Sequence, residues 1–137
     1  MKIALIYLGR RGGGATYSLE IAKALARKAE ILAIVSKQAW NLKRWEESGI
    51  DLLKLPTYNS YSEFILSTLN IKKYYMLSRR IYQFDPDVLY YPMIHVWTPL
   101  INCLFPHIPK VITEHDPVLR KGERKSIITL LNKIAIS

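Results

Sequence analysis

A glycine-rich segment near the amino terminus is the first group of residues whose types and spacing could do chemistry. The segment Gly9-Arg-Arg-Gly-Gly-Gly14 follows an apolar run and precedes an amphipathic, helix-like pattern. A strand, a glycine loop and a helix in that order present bare backbone N–H groups and a helix amino terminus to an anion, usually a phosphate. We therefore expect a phosphate-binding segment made of Gly12, Gly13 and Gly14, with the side chains of Arg10 and Arg11 nearby.

The spacing within this segment does not fit the two most familiar nucleotide-binding motifs. A dinucleotide site would need an acidic residue about twenty positions on, at the end of the next strand, where this chain has Ser36 and Lys37. A P-loop would need a lysine after its last glycine, where this chain has Ala15. The sequence therefore disfavours NAD and ATP, and a tight turn without any ligand remains the alternative.

The tripeptide His115-Asp116-Pro117 is the second candidate group. It follows a short apolar run that predicts a buried strand, so it is expected at the edge of the sheet where open α/β folds bind their ligands. A histidine there can hydrogen-bond a sugar hydroxyl or a phosphate, and it can change charge near neutral pH. A simple turn is the alternative, because Asp-Pro is good turn chemistry.

The other two histidines and the single cysteine carry weaker signals. His95 closely follows a predicted strand and is expected at the same sheet edge, whereas His107, between two prolines, is expected at the surface. Three histidines without close spacing predict no metal site. Cys103 lies in an apolar stretch and is predicted to be a buried small side chain rather than a nucleophile. A lone cysteine also forms no internal disulfide, which is typical of the reducing cytoplasm.

The charge balance favours anionic partners. Lys and Arg number 20 against 11 Asp and Glu, which gives a formal net charge of +9. Nucleic acid, an acidic membrane surface and phosphorylated substrates all fit this excess, and a plain solvated basic surface is the alternative. No segment approaches the length of a transmembrane helix, and the apolar run Ile3–Leu8 is too short for a signal peptide. Any membrane contact is therefore expected to be peripheral.

The segment Lys72–Phe84 interleaves basic residues with aromatic and aliphatic ones. This composition suits a helix on an anionic membrane surface. It also suits a crossover helix that lies on the sheet with its lysines and arginines outward. The second interpretation is favoured, because a parallel sheet needs crossover helices.

An alternation of strands and helices must position these groups. The chain has 137 residues, half of them hydrophobic, which is enough for one domain over residues 1–137. Strands are predicted at Lys2–Leu8, Ile31–Val35, Asp51–Leu55, Asp87–Tyr91 and Lys110–Thr113. Helices are predicted at Thr16–Lys28, Gln38–Ser48, Glu63–Phe84 with a break near Asn70, Thr98–Phe105 and Glu123–Ile134. The pattern predicts an α/β fold, a Rossmann-like open, mostly parallel sheet with helices on both faces.

Three stretches resemble the N-terminal domain of glycosyltransferase family 4, within the GT-B superfamily of two-Rossmann-domain enzymes. The first is the opening strand, glycine loop and helix, from Lys2 to Leu25. The second is Phe84-Asp-Pro-Asp-Val-Leu-Tyr-Tyr, which resembles the entry to a central strand of the family. The third is Val111-Ile-Thr-Glu-His-Asp-Pro, with Gly122-Glu123 downstream. Together these stretches span most of the chain.

The resemblance implies an enzyme that transfers a sugar from a nucleotide-sugar donor, with retention and without a metal. The co-substrate would be a UDP- or GDP-sugar, no other cofactor is implied, and the acceptor would be a glycan or a lipid-linked molecule. The histidine that matches His115 contacts the donor sugar in the family, so His115 is the expected catalytic residue. His95, Asp116 and Glu123 are expected to line the acceptor side of the cleft. Relatives often carry a second histidine near position 120, where this chain has Arg120.

The resemblance also implies a second, donor-binding domain that this chain lacks. The chain stops at Ala135-Ile136-Ser137, as though a further strand were opening. We therefore expect an N-terminal fragment that is catalytically silent alone, cytoplasmic, with the inner face of the membrane as a candidate location. Polysaccharide biosynthesis is the expected setting.

Two other functions stay open. A non-catalytic basic α/β module could bind polyanions or nucleic acid, although the chain has no recognisable nucleic-acid motif and its charge is dispersed. A nucleotide-sugar epimerase or reductase is disfavoured by the missing ribose carboxylate.

Overall fold

Within residues 1–114, which the computed structural model describes, five parallel strands form one open sheet. The strands are β1 (Lys2–Tyr7), β2 (Glu30–Ser36), β3 (Asp51–Leu55), β4 (Val88–Tyr91) and β5 (Lys110–Ile112). Their order across the sheet is β3-β2-β1-β4-β5, and every neighbouring pair is parallel. The predicted α/β fold with an open parallel sheet is confirmed.

Five helices connect these strands within the same residues. They are α1 (Gly13–Ala26), α2 (Leu42–Glu46), α3 (Tyr61–Thr68), α4 (Ile71–Phe84) and α5 (Thr98–Leu104). The predicted break near Asn70 is confirmed, because the Asn70 side chain caps α4 by accepting a hydrogen bond from the backbone N–H of Lys73. None of these helices is both long enough and apolar enough to cross a membrane. The helix predicted at Glu123–Ile134 lies outside the described residues.

The second predicted helix is shorter than its sequence pattern indicates. It was expected over Gln38–Ser48, but α2 covers Leu42–Glu46. The residues before it form a turn in which the N–H of Ala39 donates to the carbonyl of Ser36. The side chain of Gln38 accepts a hydrogen bond from the N–H of Thr57 at 2.8 Å. This local bonding offers the backbone an alternative to the helix.

Two hydrophobic clusters cover the two faces of the sheet, and β1 contributes to both. Ala4, Ile6 and Leu8 pack on one face with residues of α4 and α5. Ile3, Leu5 and Tyr7 pack on the other face with residues of α1 and with Trp45. The continuous apolar run of β1 is therefore buried on both sides, as a central parallel strand requires.

Two expectations about burial are wrong. Cys103 is exposed, because α5 buries Thr98 and Ile101 and so directs the cysteine to the opposite side. The basic side chains of α4 do not all point outward either. Lys73 is buried on the same stripe as Leu77 and Ile81, whereas Lys72 and Arg79 are exposed as expected.

Candidate functional site

A crevice lies at the point in the sheet where the strand order changes direction. The chain passes from β1 outward to β2 and β3, and then returns to the other side of β1 as β4 and β5. The segments that follow β1 and β4 therefore diverge at the carboxyl edge of the sheet, which is where open α/β folds bind ligands. A cavity of about 350 Å³ lies there. It is lined by Tyr7, Gly9, Arg11, Gly12, Gly13 and Gly14 on the β1 side, and by Met93, Ile94 and His95 on the β4 side.

The glycine loop supplies the anion-binding part of this cavity. Gly12 precedes α1 with φ at 85°, and no side chain of residues 1–114 caps the helix. The first turn of α1 also contains no acidic residue, so the helix's own side chains do not neutralise its positive end. A Cβ added to Gly13 would meet no other atom of residues 1–114 within 4 Å. The loop thus presents backbone N–H groups and the helix dipole to open space, an arrangement that binds phosphate or carboxylate.

The glycines at the two ends of the loop allow it to lie directly on its neighbours. A Cβ on Gly9 would come within 2.3 Å of the Tyr7 hydroxyl, and one on Gly14 within 2.1 Å of the Met93 sulfur. Burial raises the pKa of the Tyr7 hydroxyl, which therefore stays protonated at neutral pH. Sequence reasoning missed Tyr7 and Met93, since an isolated tyrosine in a strand and a methionine in a loop carry no pattern of their own.

His95 reaches the cavity from the β4 side as a neutral imidazole. Its Nδ1 accepts a hydrogen bond from the backbone N–H of Trp97 at 3.2 Å, so the ring proton lies on Nε2. Burial, followed by the charges of Lys73 and Arg10, lowers the pKa of His95 to about 4. At neutral pH this side chain can therefore donate one hydrogen bond to a ligand, but it cannot act as a cationic acid.

Two cations stack on aromatic rings that lie against His95. The Lys73 ammonium lies 3.4 Å from the centroid of the Trp97 ring, and the Trp97 and His95 ring centroids are 5.1 Å apart. On the other side, the Arg10 guanidinium lies 4.7 Å from the centroid of the Tyr58 ring, whose centroid is 6.0 Å from that of His95. Both cations lower the pKa of His95, and each stacks on a ring that lies against the imidazole.

Lys73 is held in this cluster by hydrogen bonds as well as by rings. Its Nζ donates to the carbonyl and to the hydroxyl of Ser67, and the side chain is 2 % exposed. Burial lowers the pKa of Lys73 to about 8. Sequence reasoning missed this residue, although its spacing of four and eight positions from Leu77 and Ile81 was the available signal.

The two arginines of the glycine loop point to different places. Arg11 lines the cavity. Arg10 instead stacks on Tyr58 and donates a hydrogen bond to the side-chain oxygen of Asn59 at 3.3 Å. Of the pair expected near a phosphate, Arg11 is the one that the fold brings to the cavity.

Three expected site residues, His115, Asp116 and Glu123, lie outside the described residues. The strand before them, β5, runs parallel to β4 and ends at the same edge of the sheet as the cavity. Beyond it, the N–H of Thr113 donates to the carbonyl of Tyr91 at 3.0 Å, and its hydroxyl shares a hydrogen bond with that of Tyr90. The roles of the three residues stay predictions.

The fold is similar to that of two solved proteins. One is MurG from Acinetobacter baumannii, with a TM-score of 0.68 and 15 % identity over 98 % of this chain and 39 % of that chain. The other is the UDP-GlcNAc 2-epimerase from Methanocaldococcus jannaschii, with a TM-score of 0.63 and 15 % identity over 98 % of this chain and 36 % of that chain. No family model and no curated protein sequence matches the chain significantly.

Both neighbours are GT-B proteins, so the likeness confirms the predicted Rossmann-like fold. The chain spans less than two-fifths of the length of either neighbour. At this identity the likeness shows the fold alone, and membership of glycosyltransferase family 4 stays a prediction.

Proposed function

We propose that this chain is the acceptor-side domain of a glycosyltransferase, which moves a sugar from a UDP- or GDP-sugar to a glycan or lipid-linked acceptor. The observation that carries the proposal is the composition of one cavity. The cavity combines a glycine loop, Arg11 and a neutral histidine at the switch point of a parallel sheet. It also includes the amino terminus of α1, which no side chain of the described residues caps. That combination offers one place for a phosphate and, beside it, one hydrogen-bond donor for a sugar hydroxyl.

The anion-binding part would act on the leaving group. When a nucleotide-sugar loses its sugar, negative charge builds on the released diphosphate. Gly12, Gly13, Gly14 and Arg11 line the cavity, so their N–H groups and the guanidinium would stabilise that charge. In this proposal the transfer proceeds with retention, and this positive charge takes the place of a metal ion.

The histidines would have separate roles. His95, whose pKa is lowered to about 4 by burial and by two cations, would donate its Nε2–H to a sugar hydroxyl throughout the neutral pH range. His115 is the proposed catalytic residue, in contact with the donor sugar, and Asp116 and Glu123 would line the acceptor side. His95 would not accept the proton that the acceptor hydroxyl loses, because a group with so low a pKa is a weak base.

The comparisons support the substrate class at a coarse level. One of the two neighbours is named for its action on a UDP-sugar, and both have the GT-B fold. Because the chain spans under two-fifths of either neighbour, the proposal includes a second domain that supplies the remaining contacts to the nucleotide. The isolated chain should therefore bind weakly and show no transfer.

The test is a titration of the ¹⁵N-labelled chain with UDP-GlcNAc, GDP-mannose and inorganic phosphate, followed by NMR. We expect saturable, weak binding in which the amide signals of Gly12, Gly13 and Gly14 show the largest chemical-shift changes. Arg11→Gln should weaken the binding, whereas Arg27→Gln, an exposed arginine at the far end of α1, should not. Tight stoichiometric binding would contradict the two-domain account. Absence of any shift at these glycines, together with salt-sensitive retardation of long DNA, would favour the polyanion-binding module instead.

Epimerisation of a nucleotide-sugar is the second candidate function, because one structural neighbour is a UDP-GlcNAc 2-epimerase. The two activities are separated by an assay on the longest native polypeptide that carries these residues. An epimerase changes the configuration of the sugar in the absence of an acceptor. A transferase releases its nucleotide in proportion to the acceptor supplied.

A further inference from the structure

The turn after β2 exposes a tryptophan at the carboxyl edge of the sheet. Trp40 is 57 % exposed, whereas the other two tryptophans, Trp45 and Trp97, are buried. The residues on either side of it, Ala39 and Asn41, are buried as well, so the indole is the large apolar group that this turn exposes. Tryptophan is enriched where proteins contact other molecules. Its place at the edge where open α/β sheets bind their ligands therefore indicates a ligand contact.

Hydrogen bonds attach Trp40 to the glycine loop. Its backbone N–H donates to the carbonyl of Arg10 at 2.9 Å, and Arg10 lies between Gly9 and Arg11, which both line the cavity. The guanidinium of Arg10 in turn donates to the side-chain oxygen of Asn59 at 3.3 Å. Arg10 therefore joins the segments that follow three adjacent strands, β1, β2 and β3. Trp40 and Asn59 lie on the β3 side of the cavity.

A polar network fixes the segments that follow β2 and β3 to each other. The hydroxyls of Ser36 and Thr57, both buried, share a hydrogen bond at 2.6 Å. The backbone N–H of Gln38 donates to the Ser36 hydroxyl at 3.0 Å, and its side-chain oxygen accepts from the Thr57 N–H at 2.8 Å. The backbone that carries Trp40 is thus held in place before any ligand arrives, which lowers the entropy cost of binding.

Asn59 supplies hydrogen-bond donors at the same edge. A guanidinium can only donate, so the amide oxygen of Asn59 faces Arg10 and its NH₂ group faces away. Within residues 1–114 that NH₂ group has no hydrogen-bond partner. The Asn59 backbone is fixed as well, because its N–H donates to the Glu63 carboxylate at 2.6 Å. The edge therefore offers a flat aromatic face together with positioned amide donors.

These two features fit a sugar ring. The C–H groups on one side of a pyranose pack on an aromatic face, and the ring hydroxyls accept hydrogen bonds from an amide. An acyl chain has no hydroxyl for Asn59, and a phosphate is repelled by the negative face of an indole. We propose that Trp40 and Asn59 form a subsite for one sugar ring of an oligosaccharide acceptor.

This subsite rests on the proposed function and narrows it. Of the two acceptor classes considered there, it favours a glycan, because an indole and an amide outside the cavity would bind a further sugar unit of the acceptor chain. A nucleobase also stacks on aromatic side chains. The experiment must therefore separate a sugar from a base.

Quenching of tryptophan fluorescence by acrylamide tests the proposal, because Trp40 is exposed while Trp45 and Trp97 are buried. The 137-residue chain is titrated with cellotriose, maltotriose, chitotriose and mannotriose, and separately with UMP. We expect at least one trisaccharide to protect Trp40 saturably, and UMP to leave the quenching unchanged. Protection by UMP alone would assign the indole to a nucleobase and overturn the proposal. Absence of protection by all four trisaccharides would overturn it as well.

Variants test the two side chains. Trp40→Ala should weaken trisaccharide binding at least about tenfold, and Trp40→Phe, which keeps a ring, should weaken it less. Because both variants lack the exposed fluorophore, the NMR signals of the Asn59 side-chain amide report their binding. Asn59→Ala, followed by fluorescence, should lose about threefold or more. Tyr75→Ala, at a side chain that is 63 % exposed on α4, is the control and should stay within about twofold of wild type.

The subsite and the proposed function can fail separately. If UDP-GlcNAc shifts the amide signals of Gly12, Gly13 and Gly14 while no trisaccharide protects Trp40, the subsite is wrong and the proposed function stands. If a trisaccharide protects Trp40 but UDP-GlcNAc leaves those signals unchanged, the subsite stands and the donor site is contradicted. Circular dichroism should show all variants folded, because every altered side chain is exposed.

Discussion

The ammonium of Lys73 lies 3.4 Å from the centroid of the Trp97 indole ring, inside the protein. The indole Nε1–H donates to the hydroxyl of Thr68 at 2.9 Å, and the Lys73 ammonium donates to Ser67. A charge buried in this way is normally costly, and here the ring face and the two oxygens of Ser67 offset the cost. The Lys73–Trp97 contact joins α4 to the segment after β4. It places a positive charge against a ring that itself packs on His95.

The first prediction concerns the titration of Lys73. Its pKa is lowered from 10.5 to about 8 by burial, so between these values the unfolded chain holds more protons than the folded one. The free energy of unfolding should therefore rise with pH across that window, by at most about 1.4 kcal/mol per pH unit. Urea unfolding at several pH values, with the Lys73→Met curve subtracted, isolates this contribution from that of the tyrosines. A difference that stays flat from pH 8 to 10.5 would contradict the buried charge.

The second prediction concerns the electrostatic effect of Lys73 on His95. Burial first, and then Lys73 and Arg10, lower the pKa of His95 from 6.5 to about 4. Lys73→Met removes one of these charges and should raise the His95 pKa, which an NMR titration of the imidazole signals measures directly. Lys72→Met removes the same charge from the adjacent, exposed position and should leave the pKa unchanged. Equal shifts in the two variants would contradict an effect that depends on the buried position of Lys73.

The lowered pKa of His95 also has a consequence for stability in acid. Between pH 6.5 and about 4, His95 binds a proton in the unfolded chain but not in the folded chain. The free energy of unfolding should therefore fall as the pH drops through this window. His95→Gln removes the titrating group, so unfolding curves of this variant should fall less steeply. His107→Gln, at an exposed histidine, is the control and should follow the wild-type slope.

The fourth prediction separates backbone strain from side-chain space in the glycine loop. Gly12 has φ at +85°. Gly13 is the first residue of α1, and a Cβ added there would have no atom of the described part of the chain within 4 Å. Gly12→Ala forces alanine into a conformation that L residues avoid and should cost about 1–3 kcal/mol of stability. Gly13→Ala places the same methyl group in open space and should be neutral or stabilising by up to about 1 kcal/mol. Equal losses in urea unfolding would contradict the loop geometry.

The sequence predicted the parts of this site that depend on local pattern. The apolar run of β1, the glycines after it and the position of His95 after a buried strand were enough to place them at one edge of the sheet. Burial of Lys73 and exposure of Cys103 depend on which helix face meets the sheet, and the Trp97 ring that receives Lys73 lies 24 positions further along the chain. Such contacts are set by tertiary packing. The predictions from composition were therefore wrong about the burial of both Lys73 and Cys103.

The last prediction follows from the divergence of Arg10 and Arg11. Arg10 and Arg11 are neighbours in the loop, and yet Arg11 lines the cavity while Arg10 stacks on Tyr58. Arg11→Gln should reduce the affinity for a nucleotide-sugar at least about tenfold, since a charge-assisted hydrogen bond contributes about 1.5–3 kcal/mol. Arg10→Gln should leave that affinity nearly unchanged and instead raise the pKa of His95, on which Arg10 acts. Calorimetry for the affinity and NMR for the pKa measure the two effects separately. If Arg10→Gln caused the larger loss of affinity, the phosphate would lie on the Tyr58 side of the loop, and the cavity beside Gly13 would not be its site.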